Sequence, residues 1–484
     1  MAHLGIDLGT SGVRVLLIDD DGRPVGAAER PCRAAHPHPG WSEQDPAQWV
    51  AALDGAIADL RGTYPAFAQV RGIGVAGHMH GATLIDRDGA VIRPCILWND
   101  TRSHAEAADL DAMPRVRDLS GNIVFPGFTA PKLMWVARHE PANFARVAKV
   151  LLPAAYLNLY LTGEAVADMS DSAGTSWLDT GARDWSDDLL AAGGMRRDQM
   201  PRLVEGCAPA GTLRAALADD WGLPRDVVVA GGAGDNAAAA CGMGTLDEGQ
   251  GFVSLGTSGV LLAARDGYHP VADSALHTFC HALPGRWYQM GVMLSATDSL
   301  NWLAGIAGVT PADLARPLDE GAVQPPGRVR FLPYLSGERT PHNDAAIRGS
   351  LTGLGQDTSR ADLTRAVMEG VAFGLRDSQR ALAQAGARLE TLFAIGGGAA
   401  SRYWLGVLAT ALNTPVAIPA GREFGAALGA ARLGLVAATG AAPEEVMTAP
   451  AADEVIEPRA DLVDAFDAEY EKFRASYPAI GAIQ

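Results

Sequence analysis

The sequence predicts an α/β protein built as two copies of one domain that face each other across a cleft. Two observations predict it. The hexapeptide Leu-Gly-Thr-Ser-Gly-Val occurs at residues 8–13 and again at 255–260. Each copy follows an apolar start, continues into an apolar strand and ends in an Asp-Gly turn (Asp21-Gly22 and Asp266-Gly267), so each reads as strand, hairpin, strand, turn. The second observation lies between them. Residues 227–242 (VVVAGGAGDNAAAACG) run from a β-branched strand through a Gly-rich turn to a single carboxylate, Asp235, and then into a small-residue helix start. Such a junction turns backbone N–H groups and the positive end of a helix dipole towards a ligand, and Gly231, Gly232 and Gly234 leave the acid uncrowded. Taken alone, Asp235 reads equally well as an N-cap. Its place between two matching hairpins favours a reactive role.

The 484 residues suffice for two cores. The expected units are an N-terminal domain over 1–247 and a C-terminal domain over 248–484, with the tail from about residue 440 packing back on the first. With 39 basic and 56 acidic residues the formal charge is −17, and no Lys/Arg block occurs, which excludes nucleic acid or an anionic membrane as the main partner. Five cysteines form no Cys-x-x-Cys pair, so a disulfide framework or zinc site is not expected. The start MAHLGIDLG has no signal-peptide pattern, and a cytoplasmic protein is expected.

In chain order, residues 4–27 read as two strands joined at the first hairpin. Gly9, Thr10 and Ser11, like Gly256, Thr257 and Ser258 in the second copy, offer backbone and hydroxyl donors without bulk, which suits a polyphosphate. Asp7 ends the first strand; it is a turn former or, beside such a hairpin, a metal-associated acid. Residues 46–62 read as a helix with Asp45 as N-cap and Pro46 in the first turn. The following stretch, VRGIGVAGHMHGATLIDRDGAVIRPCILWND, reads as strand, polar loop, strand, turn, strand. His80, between Gly77 and Gly81, reads as a ligand contact that donates hydrogen bonds to polar substrate oxygens. His78 and His80 fall on opposite faces of an extended segment, so no zinc pair is expected. Trp98 is a core aromatic or an apolar wall against a sugar face.

Further along, 127–139 reads as a helix in which Lys132 and Trp135 are structural, and 150–162 as a short apolar helix. Residues 168–190 are loop-rich and acidic, with a helix beginning near Trp185. In the second half, 290–308 reads as a helix, 331–355 as an irregular loop of functional length, and 358–385 as a long amphipathic helix. Its small-residue face over 363–374 suits interdomain packing or a homodimer interface equally. Residues 392–412 read as strand, Gly396–Gly398 turn and helix, and 423–435 as a small-residue helix. The tail carries no evident chemistry.

The paired Gly-Thr-Ser-Gly hairpins, GFTAPKLMW, GGAGDN, GERTPHNDAAIRGSLTGL and GGGAASRYW together resemble the FGGY family of carbohydrate kinases over residues 4 to about 436. The resemblance implies the actin-like ATPase fold, a pair of ribonuclease H-like domains with an interdomain cleft. It implies ATP and Mg²⁺ as cofactors, with Asp235 as the catalytic base and both hairpins on the ATP phosphates. Asp7, and Asp235 through water, would stand near Mg²⁺. Gly397, Gly398, Ala399 and Ser401 would lie along the adenosine. Met79 and His80 would contact the sugar, joined by Trp98, Asp235 and Asn236. GHMHGATLID and PGWSEQDPAQW are most similar to members that phosphorylate D-xylulose at its 5-hydroxyl. Those members usually carry Gln at the position of His78 and often Lys at that of Arg14. Two other readings remain: a family kinase for ribulose, an alditol or a gluconate-like acid, and an actin-like ATPase without a small substrate.

Overall fold

The computed structural model describes residues 1–420 and 425–484. Strands β1 (Ala2–Gly9) and β2 (Gly12–Asp19) form an antiparallel hairpin whose residues are almost all buried. Their near-continuous apolar run fits a sheet covered on both faces. β3 (Pro24–Pro31) pairs with β2, and β4 (Val70–Gly77) lies parallel to β1. Outside β4 come β6 (Val228–Ala230) and then β5 (Pro209–Thr212), giving the order β5-β6-β4-β1-β2-β3, with β7 (Ala233–Gly234) also on β4.

The second sheet repeats this plan. β8 (Gly249–Leu255) and β9 (Gly259–Arg265) form its hairpin, β10 (His277–Cys280) and β11 (Trp287–Met293) lie outside β9, and β12 (Leu389–Ile395) runs parallel to β8. β13 (Val416–Pro419) and β14 (Ala452–Ile456) complete the order β10-β11-β9-β8-β12-β13-β14. Read from either hairpin, six strands of each sheet correspond, including the antiparallel edges β5 and β14, while β10 and β7 have no counterpart. The duplication inferred from a hexapeptide thus extends through both sheets. The two turns differ in length, however. Gly9 pairs with Gly12, leaving Thr10 and Ser11 as the loop, whereas Leu255 pairs with Gly259, leaving Gly256, Thr257 and Ser258.

Helix α1 (Pro46–Thr63) is capped by the Asp45 carboxylate, which accepts from the Ala47 N–H at 3.0 Å, and it buries Trp49, Leu53, Ile57 and Leu60 against the first sheet. α2 (Thr129–His139) follows. Residues 150–162 are not one helix. Lys149–Leu151 is a strand paired with Thr83–Ile85, and α3 (Pro153–Thr162) starts at Pro153, because proline suits a first helical turn and lacks the N–H that an interior position donates. α4 (Asp235–Met243) continues from β7, and α5 (Thr297–Ala307) replaces only the second part of the helix expected over 290–308. Met290–Met293 belong to β11, where alternate side chains reach opposite faces. The helix expected near Trp185 begins at Asp187, after a two-residue strand, Asp184–Trp185.

α6 (Pro311–Asp319) leads to α7 (Arg360–Gln384), and α8 (Arg402–Leu412) follows β12. The irregular 331–355 stretch is bracketed by two short paired strands, Arg330–Leu332 and Ser350–Thr352. The small-residue face of α7 is filled within the subunit: a Cβ on Gly370 would strike the Phe331 carbonyl, and one on Gly374 would lie 3.2 Å from Met293. α9 (Gly425–Thr439) realises the small-residue helix expected over 423–435, of which Glu423 and Phe424 lie outside the described residues.

The start of the tail lies on the first unit, with Val446 against the Leu16 and Ile18 cluster and Thr448 and Ala449 against Gly244, but the rest goes elsewhere. β14 joins the second sheet, and α10 (Val463–Gly481) buries Phe466, Tyr470 and Phe473 in the second core beside Phe373 of α7. Aromatic side chains on one stripe of a helix need such a core. α9 itself crosses over, lying along β4, β1 and β6 of the first sheet and against α4. The approach is at backbone distance: Cβ atoms added to Gly5, Gly72 and Gly74 would overlap carbonyls of Ala427, Gly434 and Ala430, and one on Gly429 would overlap the Ala238 carbonyl.

Candidate active site

The end of β1, the N-terminus of α4 and the loop after β4 come together: the charge of Asp235 acts on Asp7, and Met79 packs against Gly234. Asp235 is the first residue of α4, with Gly234 as N-cap, so the acid faces the positive helix end instead of capping the helix itself. Asn236 holds it: the Asn236 N–H and side-chain amide donate to one Asp235 oxygen at 2.7 and 2.9 Å. The amide expected on the substrate is thus engaged with the base. Burial pushes the Asp235 carboxyl up to about 6, against the lowering effect of these hydrogen bonds.

Asp7 stands across from it near the end of β1. Burial, then the charge of Asp235, raise Asp7 to about 7, with Arg14 pulling the other way. Two buried carboxylates, one of which raises the other, are short of positive charge. Among the described residues no group of three or more His, Cys, Asp or Glu could hold a metal by itself.

Thr10, Ser11, Thr257 and Ser258 remain accessible at the hairpin tips. Trp98, 39% exposed, is neither core nor a free wall: its indole N–H donates to the Thr10 hydroxyl at 3.0 Å. The Thr10 carbonyl accepts from Gln44 at 2.8 Å, whose own oxygen accepts from the Trp49 indole at 2.8 Å. The first hairpin is therefore fixed from two sides, leaving the Thr10 hydroxyl proton free to point at a ligand. The second hairpin is tied to the start of α5, where Thr297 donates twice to the Gly256 carbonyl.

His80 has φ +70°, a backbone state unusual for a non-glycine residue. Its carbonyl accepts from the Lys132 ammonium at 2.8 Å and the Thr129 hydroxyl at 3.2 Å, and Lys132 also donates to the Gly127 carbonyl at 2.6 Å. The His80 ring stacks on Phe128, 4.5 Å between centroids. Its Nδ1 lies 2.7 Å from the Gly174 carbonyl, which can only accept, so the proton is on Nδ1. Burial lowers this imidazole to about 3, keeping it neutral. In place of the expected donor, this tautomer leaves Nε2 with a lone pair, able to accept a hydrogen bond.

Met79 fills the space beside Gly174 and Gly234 and meets the Tyr288 hydroxyl of the second unit at 3.8 Å. His78 does not share the cleft. It is 3% exposed, packed edge-on against Trp49 at 5.7 Å, and held near pKa 3 by burial.

Lys132, read from sequence as structural, positions the sugar-side loop. Burial lowers its ammonium to about 7. Lys132→Met takes the shared donor from two carbonyls, leaving that of His80 with the Thr129 hydroxyl alone, and loosens a strained residue. The expected result is a rise of about tenfold in KM for the phosphoryl acceptor with KM for ATP unchanged, read from initial rates.

Groups that the sequence did not single out line the same region. Asp171, 1% exposed, has neither carboxylate oxygen hydrogen-bonded, and burial, Asp168 and Asp235 raise it well above the usual range. Its segment reads as an acidic loop, with nothing in the local pattern to mark it.

A cavity of about 580 Å³ opens next to the second hairpin, lined by Leu300, Asn301, Ala312, Asp319, Gly397 and Ser401 among others. The Ser401 hydroxyl donates to Asp319 at 2.8 Å and caps α8 through the Trp404 N–H. Gly397 and Gly398 line the cavity, as does Ala400, whereas Ala399 is buried in the second core. An apolar slot with a few fixed polar groups suits a nucleoside.

Comparison with known proteins agrees with this geometry. The N-terminal domain model of the FGGY family of carbohydrate kinases matches residues 2–242, and its C-terminal domain model matches 251–438. The chain is 48% identical to a xylulose kinase of Klebsiella pneumoniae over 90% of both chains. A solved structure described as a xyloylose kinase from Brucella ovis is 59% identical with TM-score 0.98, covering all of both chains. A xylulose kinase from Rhodospirillum rubrum is 30% identical with TM-score 0.92, covering 100% of this chain and 99% of that one.

Proposed function

The chain belongs to the FGGY family of carbohydrate kinases, and from that premise we propose that it transfers the γ-phosphoryl group of ATP to the 5-hydroxyl of D-xylulose, giving D-xylulose 5-phosphate. The observation that carries the reading is Asp235 at a helix N-terminus, with Asp7 of the first hairpin's leading strand within reach of its charge, in a chain 48% identical to a xylulose kinase.

In this reading the cavity beside Gly397 and Ser401 takes the adenosine, and the phosphates run along the hairpins Gly9-Thr10-Ser11 and Gly256-Thr257-Ser258. Asp235 accepts the proton of the sugar hydroxyl as that oxygen attacks phosphorus in line. Asn236 orients the base, and an N-terminal helix dipole favours its ionised form. His80 Nε2 accepts from a sugar hydroxyl, and Met79 packs against the carbon chain. Trp98 acts chiefly by orienting Thr10. Magnesium fits the donor set: Asp7 and Asp235 are buried carboxylates short of a counter-charge and would hold the ion through water. Bound with the nucleotide, it would supply charge neutralisation for the phosphates. The five free cysteines suit a reducing cytoplasm.

The test is ADP release with Mg-ATP against D-xylulose, D-ribulose, L-ribulose, glycerol, D-arabitol and gluconate, followed by a pH profile on the best substrate. D-xylulose should give the highest kcat/KM. A base must be ionised to act, so kcat/KM should fall as pH drops through about 6, the value to which burial raises Asp235. Preference for another sugar overturns the substrate, and a flat profile from about pH 5 to 8 removes Asp235 from its role.

A further inference from the structure

Arg339 lies in the irregular segment between Arg330–Leu332 and Ser350–Thr352, on the second unit. Its guanidinium sits over the Phe125 ring of the first unit, 4.6 Å from the centroid. Phe125 in turn contacts Phe128, the ring on which His80 is stacked. One nitrogen donates to His277 Nε2 at 3.3 Å, which places the His277 proton on Nδ1, a buried atom with no partner. Arg339 thus approaches the His80 side of the cleft from the opposite unit.

It has no counter-charge. Arg102, Arg183 and Arg265 are also withdrawn from solvent, and each forms an ion pair with Asp or Glu, while buried Arg432, which has no such pair, donates to three backbone carbonyls instead. Among the described residues Arg339 has no such partner. The neighbouring Glu338 turns one carboxylate oxygen to the Leu294 and Arg339 backbone N–H groups, at 3.0 and 2.8 Å. Burial raises Glu338 to about 8, so it carries little charge to offset the arginine. A partly buried guanidinium with spare donors and no carboxylate is arranged to meet an acceptor that arrives from outside.

His80 Nε2 can only accept, and so requires a hydroxyl. Arg339 can only donate, and its planar fork matches an in-plane carbonyl lone pair. We infer that Arg339 recognises the carbonyl end of the substrate, donating to the ketone oxygen while His80 takes a hydroxyl, and so determines the preference for a ketose over the corresponding alditol. This rests on the ketose kinase reading above. Because the two residues belong to different units, a bound ketose bridges them, and sugar binding favours the closed cleft.

The experiment compares wild type, Arg339→Met and Arg339→Lys with Mg-ATP. It measures kcat and KM for D-xylulose, competitive inhibition by xylitol and D-arabitol (the two alditols formed by reducing its ketone), and KM for ATP. Arg339→Met should raise KM for D-xylulose about 30-fold, as expected for a lost charge-assisted hydrogen bond, while the alditol inhibition constants move less than about threefold. KM for ATP stays unchanged, and Arg339→Lys recovers part of the loss. An equal loss for ketose and alditols, or an unchanged KM for D-xylulose, overturns the inference. If Arg339→Met does not fold, Arg339→Lys decides alone, because a retained charge without the fork must still weaken the ketose more than the alditols. Should wild type prefer another ketose, the same comparison with that sugar and its alditols tests Arg339 after the D-xylulose reading has failed. A wild-type preference for a substrate without a carbonyl overturns both.

Discussion

Asp235→Asn should abolish phosphoryl transfer and make the protein more stable. The amide keeps the shape of the side chain but cannot take the proton of the attacking hydroxyl, so kcat should fall by about 10³-fold or more. ATP binding, located at the hairpins and the cavity beside Ser401, should stay within a few-fold by calorimetry. The stability effect follows from the sign of the shift. Asp235 has its folded pKa raised from 3.8 to about 6. Between those values the folded state holds more protons than the unfolded one, so stability is full below about pH 4 and declines as pH rises through about 6. An uncharged amide escapes that decline. By thermal unfolding without nucleotide, the variant should exceed wild type by about 2 kcal/mol at pH 8, with the difference vanishing near pH 4. Near-normal turnover in the variant would sink the assignment of the base. Lower stability at pH 8 would show instead that the carboxylate is stabilised by a group not recognised above.

The second large effect belongs to the crossing of α4 and α9. Gly429→Ala places a methyl group on the Ala238 carbonyl, and Gly242, on the other helix, meets the Gly425 carbonyl in the same way. Backbone cannot change rotamer, so the helices must separate, and α9 must lift from β1 and β4 as well. A loss of about 3 kcal/mol or more is expected, seen as a melting temperature lower by about 3 °C or more, or as insoluble protein. Gly305→Ala on α5 is the control. Nothing lies within 4 Å of its added Cβ, and removing a glycine from a helix interior should be neutral or stabilising. Equal melting of Gly429→Ala and wild type would mean that the two helices part without cost.

These two positions also show how far the sequence could be read. Asp235 was legible because the strand, glycines and acid are contiguous, and a local pattern carries local geometry. The hairpins were legible because they occur twice. The crossing of α9 onto the first sheet was not, since Gly5, Gly74 and Gly429 are far apart in sequence and each alone looks like an ordinary small residue. The bond from Asn236 to Asp235 was not legible for a related reason: whether an amide faces ligand or neighbour depends on a rotamer. His80 was found by its glycine brackets, but its tautomer is set by the Gly174 carbonyl, 94 residues away. The strand Met290–Met293 was taken for helix because its small apolar residues continue into α5, and only pairing with β9 separates the two.

The route of α9 has a consequence for the nascent chain. One face of the first sheet is closed by a helix that ends at Thr439, about 196 residues after α4 ends at Met243. At about 5–20 residues per second, a ribosome needs about 10–40 s to cover that distance. Throughout that interval the N-terminal half is bound to emerge with Leu16, Ile18 and the flanks of β4 lacking their cover. A fragment ending at residue 247 should therefore aggregate or recruit chaperones, and supplying residues 248–484 as a separate chain should rescue it. The repeat that makes the halves look like independent modules conceals a single cooperative unit.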